Sequence, residues 1–359
     1  MRILLAFVLV LTGASVAMAA PVEVKFDVET ARAVLAAVQN PDLTRDQAVI
    51  VARLPGNQGL VRKEKSYGAD TDVARLADAL MAAAHGQPPP AGDRYHFDQV
   101  RRDAPAIAKA LTDLTAPDAH TLDLVKQRLA LFVPPRVHGE VAGYLILGGN
   151  SGGFAFGEPV FYLNLQMYPS AGVARVILAH ELYHAVRGLA EPEPALTSKL
   201  EQCGRRYPAG KDMASLFDDL SNEGIASYVG DVLVLPQDGD PIAAKQRDHL
   251  DLNIQRVSRS ATLLELSVHA LTTRSALTYD DIYALDFYGD EILYALGYVM
   301  AKAIAEERGP AAVADLIDRP GGDLLLAYAG LKSYGGKNTP KLYPETLEWA
   351  RKLQDCGAK

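Results

Sequence analysis

Cysteine is scarce in this chain of 359 residues, which holds only Cys203 and Cys356. Two thiols are too few for a disulfide-dense scaffold or a zinc module ligated by cysteine. Positive charge is also short, with 36 Lys and Arg against 44 Asp and Glu. A nucleic-acid protein needs a basic stripe to displace counterions, so this balance argues against one. Beyond the first twenty residues no run is apolar enough to cross a bilayer. Internal repeats and low-complexity tracts are absent too. With 49% hydrophobic and 22% charged residues the composition is that of a folded globular chain, not a disordered one. The length suits two domains, or one large domain with a helical appendage.

The N-terminus reads as a targeting segment. Met1-Arg2 is a short positive start, Ile3 to Leu11 is an unbroken apolar run, and Ala17-Met18-Ala19 resembles a signal-peptidase site. The run is too short to span a hydrocarbon core, and no lipid-bearing cysteine follows it. Residues 1–19 are therefore expected to be a signal peptide. The mature chain is expected to be soluble, periplasmic or secreted, without a stable membrane anchor. Cys203 and Cys356 would then meet an oxidising compartment. They could close one long disulfide or stay as two buried thiols, and the even count favours the disulfide.

Hydrophobic spacing divides the rest at about residue 135. Residues 20–135 read as a helical N-terminal region, with helices over Val28–Val38, Val73–Ala84, Ile107–Leu114 and His120–Leu131. Pro134-Pro135 stops the last of these. In 136–359, Val141–Leu147 and Val160–Met167 have strand composition. The Gly-rich stretch 148–153 between them lacks the lysine and following helix of a phosphate loop, so it reads as a flexible hairpin. It could move over a cleft, offer backbone groups to an extended peptide, or be a plain loop. Helices follow over 172–189, with Ser170 as N-cap, then 213–233, 249–272, 290–308, 311–317 and 344–353. The expected class is α+β, helix-dominated, with a small sheet just before the helix that carries the chemistry.

That helix contains His180-Glu181-Leu182-Tyr183-His184. Positions i and i+4 share one helical face, so both imidazoles can address one cation. Glu181 lies roughly 100° around the helix, where it can reach a water without occupying a ligand position. The pattern arises by chance in roughly one chain per hundred of this length, so its context must carry weight. An open zinc site needs a third protein ligand. The candidate is Glu223 in Asn222-Glu223-Gly224-Ile225-Ala226, with Glu191, Glu193 and Glu201 as rivals. Gly224 would let its helix approach the histidine helix, and Asp219 and Ser227 could orient a ligand. An oxyanion needs a donor as well. Tyr294 is the choice among four clustered tyrosines, with Tyr288 and His269 next. Tyr294 and Tyr298 are expected to share a helical face. His85, His96, His120, His138 and His249 suggest no second cluster.

These motifs resemble the gluzincins, zinc peptidases with His-Glu-x-x-His on one helix and a ligand Glu on a later one. Within that clan the chain looks like bacterial exported zinc-dependent peptidases of unknown substrate. The resemblance rests on His180–His184, on Asn222–Ala226 and on Tyr294-Ala295-Leu296-Gly297-Tyr298-Val299-Met300-Ala301, and covers roughly residues 140–330. It implies a zincin-like core whose sheet edge faces a peptide or protein substrate. The metzincin extension is absent, since Arg187 and Ala190 replace its Gly and His. Ser227 stands where the thermolysin-like pattern has Asp, and the Gly-Ala-Met-Glu-Asn segment of the large aminopeptidases is missing.

The expected function is zinc-dependent peptide hydrolysis. His180, His184 and Glu223 would hold one Zn²⁺ per chain, with Glu181 as general base and Tyr294 as oxyanion donor. The competing readings are a binding or assembly module with a structural metal, and a zinc hydrolase acting on something other than peptides.

Overall fold

The computed structural model describes residues 22–235, 239–273 and 277–356, and the expected signal peptide lies outside them. The first described element is a strand. β1 (Glu23–Asp27) pairs in parallel with β2 (Glu140–Ile146), which pairs in parallel with β4 (Val160–Asn164). β3 (Gly153–Ala155) lies antiparallel on β4, giving the order β1-β2-β4-β3 with β3 at an edge.

Two expectations are corrected here. Residues 20–135 are helical except for β1, which finds its partner more than a hundred residues away. A five-residue strand with a distant partner leaves little local signal. The hairpin is β3–β4, not β2–β4. The Gly-rich stretch returns the chain so that β2 and β4 run parallel, and β3 sits inside that crossover. Nor does the stretch hang free. Asn164 Nδ2 donates to Gly148 O at 2.8 Å and Ser151 O at 3.0 Å, and Gly149 N–H donates to Tyr95 O at 2.9 Å. The buried carboxylate of Glu64 accepts from Asn150 N–H at 3.2 Å.

The N-terminal helices are α1 (Glu29–Val38), α2 (Arg45–Ala52), α3 (Pro55–Ser66), α4 (Val73–Ala84), α5 (Phe97–Arg102), α6 (Ala104–Thr115) and α7 (Thr121–Leu129). α1 and α3 pack on β2. On the other side lies α8 (Ala171–Ala190), against β4, β3 and β2. β4 is buried along most of its length, as a strand covered on both faces must be. Alternation separates the two coverings. The rings of Tyr162 and Phe154 stack at 4.7 Å on the α3 side, while Gly153 meets Glu181 of α8 on the other.

The remaining helices are α9 (Glu193–Arg206), α10 (Gly210–Val229), α11 (Pro241–Gln255), α12 (Val257–Thr272), α13 (Tyr279–Asp286), α14 (Ile292–Arg308), α15 (Pro310–Ala314), α16 (Gly322–Ala329) and α17 (Pro344–Cys356). The single helix expected over 249–272 is two, α11 and α12, with a break at Arg256. α10 packs on α8, α9 and α14, so it is the hub of this half. Gly224 is what allows the closest of these contacts, though not the one expected. A Cβ there would lie 2.3 Å from the Cα of Gly297, so the glycine admits α14, not α8. A disulfide joins Cys203 of α9 to Cys356 of α17.

Candidate metal centre and its cleft

α8 begins with Ser170, whose Oγ accepts from Val173 N–H at 3.3 Å, and ends before Pro192. Its start and length place His180 and His184 one turn apart on the side facing α10. Their Nε2 atoms are 3.0 Å apart. Glu223, from α10, sets its Oε2 3.3 Å from His180 Nε2 and 3.2 Å from His184 Nε2. One ligand atom from each residue lies within 4.8 Å of the others, and among the described residues no other group of three or more such side chains gathers in this way.

Several features of this cluster fit a divalent cation. Glu223 Oε2 is buried and makes no hydrogen bond among the described residues, although two imidazole nitrogens face it. His184 Nδ1 lies 3.0 Å from Asn222 Oδ1. An N–H donated there leaves the Nε2 lone pair pointing into the cluster, the arrangement a metal-bound histidine needs. Nitrogen and carboxylate donors in this number suit zinc.

The electrostatics are strongly coupled. Burial opposes ionisation of Glu223, but the neighbouring histidines, His184 first, outweigh it and hold the carboxylate well below its usual range. Burial likewise opposes the charge on His184, and Glu223 overcomes it, raising the imidazole to about 9. Glu181 is 6% exposed. Desolvation pushes its carboxyl up, against the pull of His180 and His184. Its neighbour in β3 is Gly153, and any larger residue there would displace the Glu181 side chain from its present position. A Cβ on Gly153 would fall 2.3 Å from Glu181 Oε1.

The cluster lies on the wall of a cleft of about 590 Å³ that runs along β3. Tyr294 lines it with its ring stacked on His180, centroids 6.3 Å apart. Burial first, then the charge of Glu223, pushes its hydroxyl well above the usual tyrosine range. Tyr298 does not share that position. It is buried, and its hydroxyl donates to Asp231 Oδ1 at 3.1 Å. Tyr288 is exposed at the cleft rim, whereas His269 is exposed on α12 and does not line the cleft. Asp219 and Ser227 both line it. The Asp219 carboxylate accepts from Tyr279 Oη, and burial lifts it to about 7. The rival carboxylates go elsewhere: Glu191 to Arg187 and Lys199, Glu193 to Thr197, Glu201 to Arg205.

Sequence reasoning left other residues of this cleft without a role. Asn222 stood in the quoted motif, beside the Glu. Tyr168, pushed up to about 12 mainly by burial, lines the cleft from the turn before α8. His249, set aside as scattered, pairs there with Glu291 at 3.4 Å. Lys63 arrives from α3 and Tyr67 from the position that caps its C-terminus. Only Asn222 lay near a recognisable pattern.

A model of the family described as "Putative zinc dependent peptidase (DUF5700)" matches residues 50–330 of the chain. No curated protein and no solved structure matches it.

Proposed function

The chain belongs to this family, and from that premise we propose that it is an exported peptidase that hydrolyses peptide bonds at the His180–His184–Glu223 cluster. One observation carries the reading. Three protein donors converge on the wall of an open cleft, and among the described residues no fourth His, Cys, Asp or Glu closes the group. Structural zinc sites are closed by four protein ligands, while catalytic ones keep a position for water. The donor count therefore favours catalysis over a structural metal in a binding module.

His180 Nε2, His184 Nε2 and a carboxylate oxygen of Glu223 would hold the ion, with Asn222 fixing the His184 ring. A zinc ion held there would supply Lewis-acid polarisation, which draws the pKa of a water toward about 7. Glu181 would accept a proton from the attacking water at its carboxylate and pass it to the departing amine nitrogen. Burial raises its proton affinity, which suits a base that must hold the proton until the C–N bond breaks. Tyr294 keeps its hydroxyl proton at neutral pH and offers it to the oxyanion. The free edge of β3 supports an extended peptide by strand addition. The residues 1–19 motif and the Cys203–Cys356 disulfide support export, since disulfides persist in oxidising compartments.

The test pairs metal content with turnover. The mature chain and Glu181→Gln are each assayed for bound zinc and for cleavage of casein. About one zinc in both, with cleavage by the wild type alone, is the expected result. Zinc in both and cleavage by neither sinks the peptidase reading.

A further inference from the structure

The cleft is acidic, with one exception. Glu223, Asp219 and Glu291 are among its carboxylates, and its permanent cations among the described residues are Arg187 and Lys63. Arg187 is consumed by Asp218 and Glu191. Lys63 pairs with no carboxylate among the described residues. Its Nζ instead lies 4.9 Å from the ring centre of Tyr67 and 5.4 Å from that of Phe154. Aromatic faces hold an ammonium in place without neutralising it.

The surroundings fix this cation at the rim. Tyr67 Oη is hydrogen-bonded to Ser151 Oγ at 2.8 Å, and the buried Glu64 binds Asn150. Both contacts fasten α3 to the loop that leads into β3. The free edge of β3 bounds the cleft, with Gly153 turned toward Glu181 and Phe154 turned the other way, under Lys63. A chain added along that edge would continue the alternation. Its side chains on the Glu181 side face the cluster, and those on the Phe154 side come under Lys63.

We propose that Lys63 is a substrate-recognition residue that binds a carboxylate of the peptide being cut. The proposal rests on the peptidase reading and adds to it a substrate class, peptides carrying an anionic group at a fixed distance from the scissile bond. The carboxylate has two sources, an Asp or Glu side chain or a free C-terminus. An unpaired ammonium held for a carboxylate gains a charge-assisted hydrogen bond, worth about tenfold in kcat/KM.

The experiment digests a library of short peptides with zinc-loaded wild type, Lys63→Met and Lys63→Arg, and reads the cut sites by mass spectrometry. Matched peptides then replace Glu by Gln, or the C-terminal carboxylate by an amide. In the wild type the carboxylate member of one matched pair should be cut about tenfold faster. Loss of preference on the Gln exchange identifies a side chain, and loss on amidation identifies the terminus. Lys63→Met should bring that ratio close to one, and Lys63→Arg should keep it. The same ratio in wild type and Lys63→Met overturns the proposal and leaves the peptidase reading standing. So does a slowing of both members alike, which would mean that Lys63 acts through Glu181. A zinc-loaded wild type that cuts no peptide overturns both.

Discussion

Two clusters of ionisable side chains lie where α8 meets α10, one of them joined by Lys199 of α9, and they are built on opposite principles. In one, Arg187 donates to Glu191 and Asp218, and Lys199 also pairs with Glu191. Every charge there has a partner of opposite sign. In the other, one turn back along α8, His180, His184 and Glu223 turn ligand atoms toward a common point, and Glu223 Oε2 has no hydrogen bond among the described residues. Both clusters are largely buried, so burial does not distinguish them. The difference lies in geometry: the Arg187 network turns its charges onto one another, whereas two imidazole nitrogens and one carboxylate oxygen converge on a common point that a cation can occupy. A paired network holds a fold together, whereas in the open cluster a divalent cation can replace the protons that balance Glu223 in its absence.

The contrast can be broken by mutation, and the largest effect belongs to the open cluster. Glu181→Gln should lower kcat by about 10²–10⁴ while bound zinc and the unfolding midpoint stay near wild type. Loss of zinc in that variant would mean Glu181 is a ligand, not the base. His184→Ala and Glu223→Ala should bind no stoichiometric zinc, measured by metal analysis after dialysis, yet remain folded. Arg187→Met should do the reverse. Breaking a buried pair costs about 3–5 kcal/mol, read from the denaturant midpoint, and the folded fraction should still bind zinc. If Arg187→Met loses zinc but not stability, the division of labour between the clusters is wrong.

Smaller effects sharpen it. Asn222→Ala should weaken zinc binding by about 10–100-fold in competition with a chelator, because the His184 ring loses its orienting partner. The pH response of the metal-free chain follows from His184, whose pKa rises from 6.5 to about 9 on folding. A raised pKa stabilises the fold fully below 6.5, and the contribution disappears as pH climbs through 9. The melting temperature of the apo protein should therefore fall between pH 6.5 and 9, and the gain from added zinc should grow over the same range. A gain that shrinks with rising pH would place the zinc elsewhere.

The legible part of this protein was local. His180, Glu181 and His184 are read from helical spacing alone, because i and i+4 share a face whatever the rest of the chain does. Ser170 as N-cap and the stop at Pro192 are equally local, and the two cysteines could be paired because no other partner existed. The class, helix-dominated with a small sheet before the histidine helix, followed from texture. Local pattern could nominate Glu223 but not bring it to the histidines, since the 38 residues between His184 and Glu223 contain α9 and the turn into α10.

What the tertiary structure alone decided is everything that depends on two distant segments meeting. β1 is a strand because β2 accepts it, and the direction of β2 against β4 depends on where the Gly-rich stretch is fastened. Gly153 matters because Glu181 fills the space its side chain would need, and Gly224 matters because Gly297 crosses it. Lys63 and His249 line the cleft through packing, with no spacing rule linking them to residue 180. Helical periodicity acts over a few residues and is written in the order of the chain. Convergence of side chains on a cleft is set by how whole elements pack, and a single sequence records that only through the glycines and buried charges that packing requires.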